Sequence, residues 1–393
     1  MIRPLDGITV VSLEHAIAAP FCTRQLADLG ARVIKIERPV TGDFARNYDQ
    51  RVKGMSSHFT WTNRSKESLC LDLKHPKAFS ALIQLLEKAD VLVQNLAPGA
   101  AERMGLSAEK LKVLNPRLIV CDISGYGNDG PYRDKKAYDL LIQSEAGFLS
   151  VTGTKDTPSK AGNSIADISA GMYAYTNILS ALILRDKTGV GSHIDVSMLE
   201  ALGEWMGFPM YYAYEDAAPP QRSGASHATI YPYGPFAVGD GNTIMLGLQN
   251  EREWLIFCEK VLKNPALAHE EKFSLNFKRH ENRIELEEII VNCFSTLTID
   301  QVMSLLESAQ IANARMNDMK GLWNHPQLAS RDRWSSINSP IGPVPALLPP
   351  GVNNQYTYRM DAIPDIGEHS ELILRELGFD TASIQELREA QAI

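Results

Sequence analysis

Residues 163–171 read Asn-Ser-Ile-Ala-Asp-Ile-Ser-Ala-Gly and set one carboxylate, Asp167, among small side chains at the mouth of a long apolar helix. A carboxylate that is ionised, oriented and reachable is a nucleophile toward acyl groups. The free N–H groups of a helix start favour its charged form, and small neighbours would let a bulky ligand approach the backbone. An unperturbed Asp, with a pKa of about 3.9, needs no general base at neutral pH. The competing assignment is structural. Asp is a favoured N-cap, and Ile168, Met172, Leu179, Leu182 and Ile183 continue an apolar helix behind it.

The elements ahead of Asp167 alternate strand and helix signals, the pattern of an α/β fold with an open, mostly parallel, Rossmann-like sheet. Strands are expected at Ile8–Leu13, Val33–Glu37, Leu69–Leu73, Val91–Leu96, Leu118–Ser124 and His193–Val196. Helices are expected from near Pro20 to Gly30, over Pro76–Lys88, over Ala108–Leu114 behind a Ser107 cap, and from Asp167 to about Arg185. The loop after the first strand, Ser12-Leu13-Glu14-His15-Ala16-Ile17-Ala18-Ala19-Pro20, has no Gly-x-Gly-x-x-Gly, which disfavours a dinucleotide-binding dehydrogenase. Basic residues instead recur in loops after strands: Arg38, Lys74, Arg103 and Lys136. Such loops, at the carboxyl ends of parallel strands, are where open α/β sheets bind ligands.

A chain of 393 residues, 44% of them hydrophobic, can bury a large core and divide into two domains. The expected division is a large α/β domain over 1–200, a linker over 201–223 and a smaller α+β domain over 224–325. A Pro-rich linker over 326–360 and C-terminal helices over 361–393 follow. In the smaller domain a strand is expected at Ile244–Leu248 and helices at Glu251–Val261, Arg283–Phe294 and Ile299–Ala309. The formal charge of −8 argues against nucleic-acid or anionic-membrane partners, so any anion site must be a local basic cluster. No signal peptide or membrane-spanning run is legible, and the scattered cysteines follow cytoplasmic usage. The nine histidines show no metal-ligand spacing, so no metal is expected.

Ordered blocks along nearly the whole chain carry a family resemblance. They include Pro4-Leu5-Asp6-Gly7-Ile8, Ala27-Asp28-Leu29-Gly30-Ala31-Arg32-Val33, Asn63-Arg64-Ser65-Lys66 and Leu71-Asp72-Leu73-Lys74. Asn95-Leu96-Ala97-Pro98-Gly99, Ser124-Gly125-Tyr126-Gly127, Tyr138-Asp139, Ala166-Asp167 and Ile366-Gly367-Glu368-His369 continue the set. Together they resemble a family III CoA-transferase, the group that includes formyl-CoA transferase and the carnitine CoA-transferases. The resemblance implies an Asp nucleophile at Asp167, coenzyme A or its thioesters as substrate with no permanently bound cofactor, and an interlocked homodimer. It implies CoA contacts at Ile17, Ala18, Arg38, Leu71, Asp72, Leu73, Lys74, Asn95, Leu96, Ala97, Arg103, Lys136, Ala137 and Tyr138. Arg38, Lys74 and Arg103 would face phosphates.

Two departures matter. Where formyl-CoA transferase closes a glycine run over its site, this chain reads Gln221-Arg222-Ser223-Gly224-Ala225-Ser226-His227. Where the related α-methylacyl-CoA racemases place a proton-transferring histidine, it has Tyr138, a poor base at neutral pH. A racemase or epimerase therefore stands behind CoA transfer, as does a non-catalytic CoA-binding protein. The surrounding blocks look most like enzymes that move CoA from succinyl-CoA to itaconate, mesaconate or citramalate. His15, Arg222 and His227 are the candidate substrate residues, the last two as a cationic pair for a second carboxylate.

Overall fold

The computed structural model describes residues 2–393 and divides them into two compact units. The first runs to Gly147 and resumes over Ala161–Gly207 and Leu328–Ile393, and the second comprises Phe148–Lys160 and Phe208–Gln327. The smaller unit thus begins before residue 224 and takes in a segment, 148–160, expected in the large domain. That segment is anchored there through backbone, with Gly224 N donating to Gly153 O at 2.8 Å.

The first unit is built on six strands: β1 (Thr9–Leu13), β2 (Arg32–Glu37), β3 (Lys66–Cys70), β4 (Val91–Gln94), β5 (Ile119–Ser124) and β6 (His193–Ser197). They pair all in parallel in the order β3-β2-β1-β4-β5-β6. The chain winds outward from β1 to β3, then returns to β4 on the other side of β1. That reversal leaves a crevice beyond the carboxyl ends of β1 and β4, the place where such sheets bind ligands.

β3 starts at Lys66, three residues earlier than its apolar run suggests. Its charged opening is hidden because each polar group has a partner. Lys66 Nζ reaches Glu14 at 2.7 Å, Glu67 holds Arg32, and Ser68 Oγ donates to Glu37 at 2.6 Å. The proline-rich stretch is likewise not only a connector. It contains an antiparallel hairpin, Trp334–Ile337 with Val344–Leu347, whose Ile337 and Val344 pack with Ala45, Phe59 and Ile363 in the first unit's core.

The Ile165–Thr188 helix buries Ala166, Ala170, Ala174, Ile178 and Leu182, a stripe at four-residue spacing. Its small residues make room for protein. A Cβ on Gly171 would stand 2.6 Å from Ala18 O and 3.1 Å from the Phe21 ring, so the Ala18–Asp28 helix fills the space expected to admit a ligand. The helix ends at Gly189, whose φ of 76° is the left-handed closure glycine allows.

The second unit has a three-stranded antiparallel sheet of Tyr233–Ala237, Thr243–Gly247 and Ala312–Arg315. Pro235 lies on an edge strand, where its missing N–H is tolerated. Trp254, Phe257, Phe273, Leu286 and Phe294 form its core, with the Arg283–Phe294 and Ile299–Ser308 helices packed around them. Among the described residues, no single helix is long and apolar enough to cross a membrane.

Candidate active site

Wholly within the first unit, the crevice opens into a cavity of about 1150 Å³, above the usual range for small-molecule pockets. Its walls are the loops that follow β1, β2, β3, β4 and β5, together with the start of the Ile165–Thr188 helix. His15, Ile17, Ala18, Arg38, Leu71, Asp72, Leu73, Lys74, Asn95, Leu96, Ala97, Lys136, Ala137, Tyr138 and Asp167 all line it. Residues from five separate loops and one helix thus converge, as the parallel sheet requires.

Three expected residues are not among them. Arg103 is in the first unit but outside the lining, with its guanidinium donating to Pro98 O at 3.3 Å. Arg222 and His227 belong to the second unit. Arg222 donates to the carbonyls of Thr154 and Lys155, both at 2.9 Å, so its fork is spent tying down 148–160. His227 stacks on Tyr233, and its Nδ1 accepts the Thr229 and Ile230 N–H groups. Nδ1 is thereby an acceptor that closes a turn.

Asp167 sits in the first turn of its helix, yet the cap is another residue. Asp139 Oδ1 accepts from Ala166 N at 2.8 Å and from Asp167 N at 3.3 Å, while Gln143 Nε2 holds the other oxygen at 2.7 Å. Asp139 therefore takes the helix-start N–H groups that the sequence assigns to Asp167. Among the described residues, no donor reaches the Asp167 carboxylate, which half-buried geometry leaves at the cavity wall. Burial first, and then the Asp139 charge, push its pKa up to about 7 instead of leaving it near 3.9. Both the simple cap and the unperturbed acid are corrected. The site holds a poorly solvated carboxylate, a stronger nucleophile once ionised than an ordinary surface Asp.

The loop opposite is held from below by buried charge. Lys35 and Lys66, fully enclosed, meet Glu14 at 3.3 and 2.7 Å, and Lys35 meets Asp43 at 2.6 Å. Burial alone would raise Glu14, but Lys66 and Lys35 outweigh it and hold the carboxyl down at about 2. Asp43 also accepts from the N–H of Ala16, whose φ of 61° is unusual for alanine. His15 N donates to Asn95 Oδ1, and Asn95 Nδ2 donates back to His15 O, both at 2.9 Å. The Asn95 side chain, expected on the ligand, thus pins the Glu14–Ala18 loop. His15 is tilted against Phe44, which also lies under the Arg38 guanidinium. Burial lowers the His15 pKa, so its ring stays neutral in the cavity wall.

Asp139, Tyr48 and His58 escape sequence reasoning. Asp139 had a signal, its place beside Tyr138 in a recognised block. Tyr48, at the end of the 3-10 turn Phe44–Asn47, and His58, in the short helix Ser57–Thr62, lie between β2 and β3, and only the fold brings them to the cavity. Among the described residues, no group of three or more His, Cys, Asp or Glu is placed to hold a metal ion.

Comparison with known proteins agrees with this geometry. Residues 5–370 match CoA-transferase family III. The human succinyl-CoA:glutarate CoA-transferase is 31% identical over 100% of this chain and 90% of its own. The succinyl-CoA–D-citramalate CoA-transferase of Chloroflexus aurantiacus is 30% identical over 86% and 84%. A CaiB/BaiF family protein from Brucella suis, solved by crystallography, superposes with a TM-score of 0.86 at 31% identity, covering 96% of this chain and all of that one. A sheet crevice with a carboxylate in its wall, a family match over residues 5–370 and a relative 31% identical over the whole chain lead to one assignment: the chain belongs to CoA-transferase family III and is an enzyme of that family.

Proposed function

We propose that the protein moves CoA reversibly between a succinyl-CoA-type donor and a small dicarboxylate, with Asp167 as the covalent relay. The observation that carries this reading is the Asp167 carboxylate: without a donor, half-buried, and in the wall of a cavity bordered by Arg38, Lys74 and Lys136. In the first step a carboxylate oxygen of Asp167 attacks the thioester carbon, and the C–S bond breaks. This gives an acyl–aspartyl anhydride and CoA thiolate. The thiolate then attacks the aspartyl carbonyl, releasing the donor acid as its carboxylate and leaving an aspartyl–CoA thioester. An acceptor carboxylate attacks that thioester and the steps run in reverse, so no acyl energy is lost provided water is excluded.

Both named relatives act on a dicarboxylate with succinyl-CoA, which supports that substrate class for this chain. Glutarate is unbranched and citramalate branched, so the acceptor panel must contain both kinds. A homodimer accompanies the reading. Apolar side chains exposed on one segment of the second unit, Phe208, Met210 and Tyr211, suit a contact surface. The test is incubation with succinyl-CoA and glutarate, mesaconate, itaconate, citramalate and acetate, with mass spectrometry of the CoA products. New dicarboxyl-CoA at the expense of succinyl-CoA is expected. Deuterium uptake at the α-carbon of an acyl-CoA, without transfer, would favour the epimerase reading instead.

A further inference from the structure

We propose that His58, steered by Asp49 and flanked by Tyr48, holds the second carboxylate of the dicarboxylate in the Asp167 cavity; the proposal rests on the transfer reading above. His58 and Tyr48 both line that cavity, and their rings meet edge to face at 5.4 Å. Behind them Asp49 accepts from Arg51 N at 2.9 Å, Ser57 N at 3.0 Å and Ser57 Oγ at 2.7 Å. Those donors hold its carboxyl well below the ordinary range, so it is an anion that only accepts. His58 Nδ1, 3.2 Å from Asp49 Oδ2, must then carry a proton. Ring orientation and tautomer are fixed, and Nε2 is the one polar ring atom left for a ligand. A carboxylate binds at Nε2 with uptake of a proton there, while Asp49 accepts from Nδ1 on the other side of the ring.

The other cationic groups on the wall are engaged elsewhere. Arg38 lies over Phe44 at 4.9 Å, Lys135 is bound to Glu145, and His15 is kept neutral by burial. Lys74 and Lys136 sit in loops that the family resemblance gives to the carrier, Lys74 to its phosphates. Burial first, and then the charges of Asp43 and Asp167, raise the Tyr48 pKa and keep its hydroxyl a donor. A dicarboxylate would present one end to Asp167 and the other to His58, two residues of the same cavity wall that Tyr48 also lines. A monocarboxylate of the same length gains nothing from His58.

The experiment compares the parent with His58→Gln, each saturated with CoA, titrated calorimetrically with glutarate and with pentanoate, and assayed for transfer from succinyl-CoA. Glutarate affinity and kcat/KM are expected to fall about ten- to a hundredfold in the variant, the scale of one lost hydrogen bond to a charge, with pentanoate unchanged. The pentanoate values also report that the variant is folded. Equal losses with both acids, or none with either, would overturn the proposal. His58-dependent glutarate binding in a parent that transfers nothing would uphold the carboxylate site and defeat the transfer reading.

Discussion

The carboxylate of Asp139 accepts a hydrogen bond from the backbone N–H of Asp167, 3.3 Å away, and a second from Ala166. One acid thus closes the helix on which the other stands. The capping acid is surrounded by donors, the two N–H groups and Gln143. The reacting acid is left with burial and a negative neighbour. Two aspartates that look alike in sequence thus stand in different surroundings, one among donors and one without, the kind of difference that separates roles in many active sites.

Replacing Asp167 by Asn keeps shape and removes the nucleophile. Transfer from succinyl-CoA is expected to fall at least about ten thousandfold, the scale of losing a covalent catalyst, with acyl-CoA affinity within a few fold of the parent. Steady-state kinetics and equilibrium binding check the two halves.

The pH profile follows from the raised pKa. The attacking form is the anion, so kcat/KM for acyl-CoA should fall below an acid limb at about 7. Asp139→Asn retains an oxygen for the cap but deletes the charge, and its limb should move toward lower pH. A limb at the same pH in both proteins would remove Asp139 from the explanation.

Stability should carry the same signature with its sign reversed. The folded protein binds the Asp167 proton more tightly than the unfolded chain. The contribution is therefore favourable below about pH 4 and is lost as pH rises through about 7. Asp167→Asn removes this group, so the variant should exceed the parent at pH 8 by about 2 to 4 kcal/mol and by much less at pH 4.5. Urea unfolding at the two pH values measures it.

Much of the frame was legible in the chain. Pro76–Lys88, Ala108–Leu114 and Arg283–Phe294 form helices with the bounds that periodicity and caps suggest. The loops after the strands converge because parallel strands leave them no alternative. What stayed hidden was polar. Lys66 opens a buried strand because Glu14 is beneath it, and Arg222 resembles an anion ligand until its guanidinium is found on backbone carbonyls. His58 and Tyr48 gave no periodic signal, since the helical pieces that carry them, Phe44–Asn47 and Ser57–Thr62, are too short to show one. Pairing between distant charges is a property of the fold, and local pattern does not record it.

Lys35 tests the buried charges. Lys35→Met leaves Asp43 and part of Glu14 uncompensated in the interior, an error that costs about 3 to 5 kcal/mol. The loop at Ala16 hangs from Asp43, so KM for acyl-CoA should rise as well. Chemical denaturation and kinetics on the same preparation report both effects.

Gly171 separates propensity from packing. Placing alanine for glycine inside a helix ordinarily gains about 1 kcal/mol. Here the new Cβ would meet the Ala18 carbonyl at 2.6 Å, backbone that cannot swing aside. Gly171→Ala is therefore expected to destabilise, and Gly171→Val by more than about 2 kcal/mol, read from thermal unfolding.

The most direct test is covalent. Protein mixed briefly with succinyl-CoA, quenched and digested, should yield the peptide bearing Asp167 with the mass of CoA added as a thioester, and borohydride should convert that residue to the alcohol. The adduct should be absent from Asp167→Asn. A modified peptide elsewhere in the chain, or full transfer by the variant with no adduct in the parent, would contradict the relay.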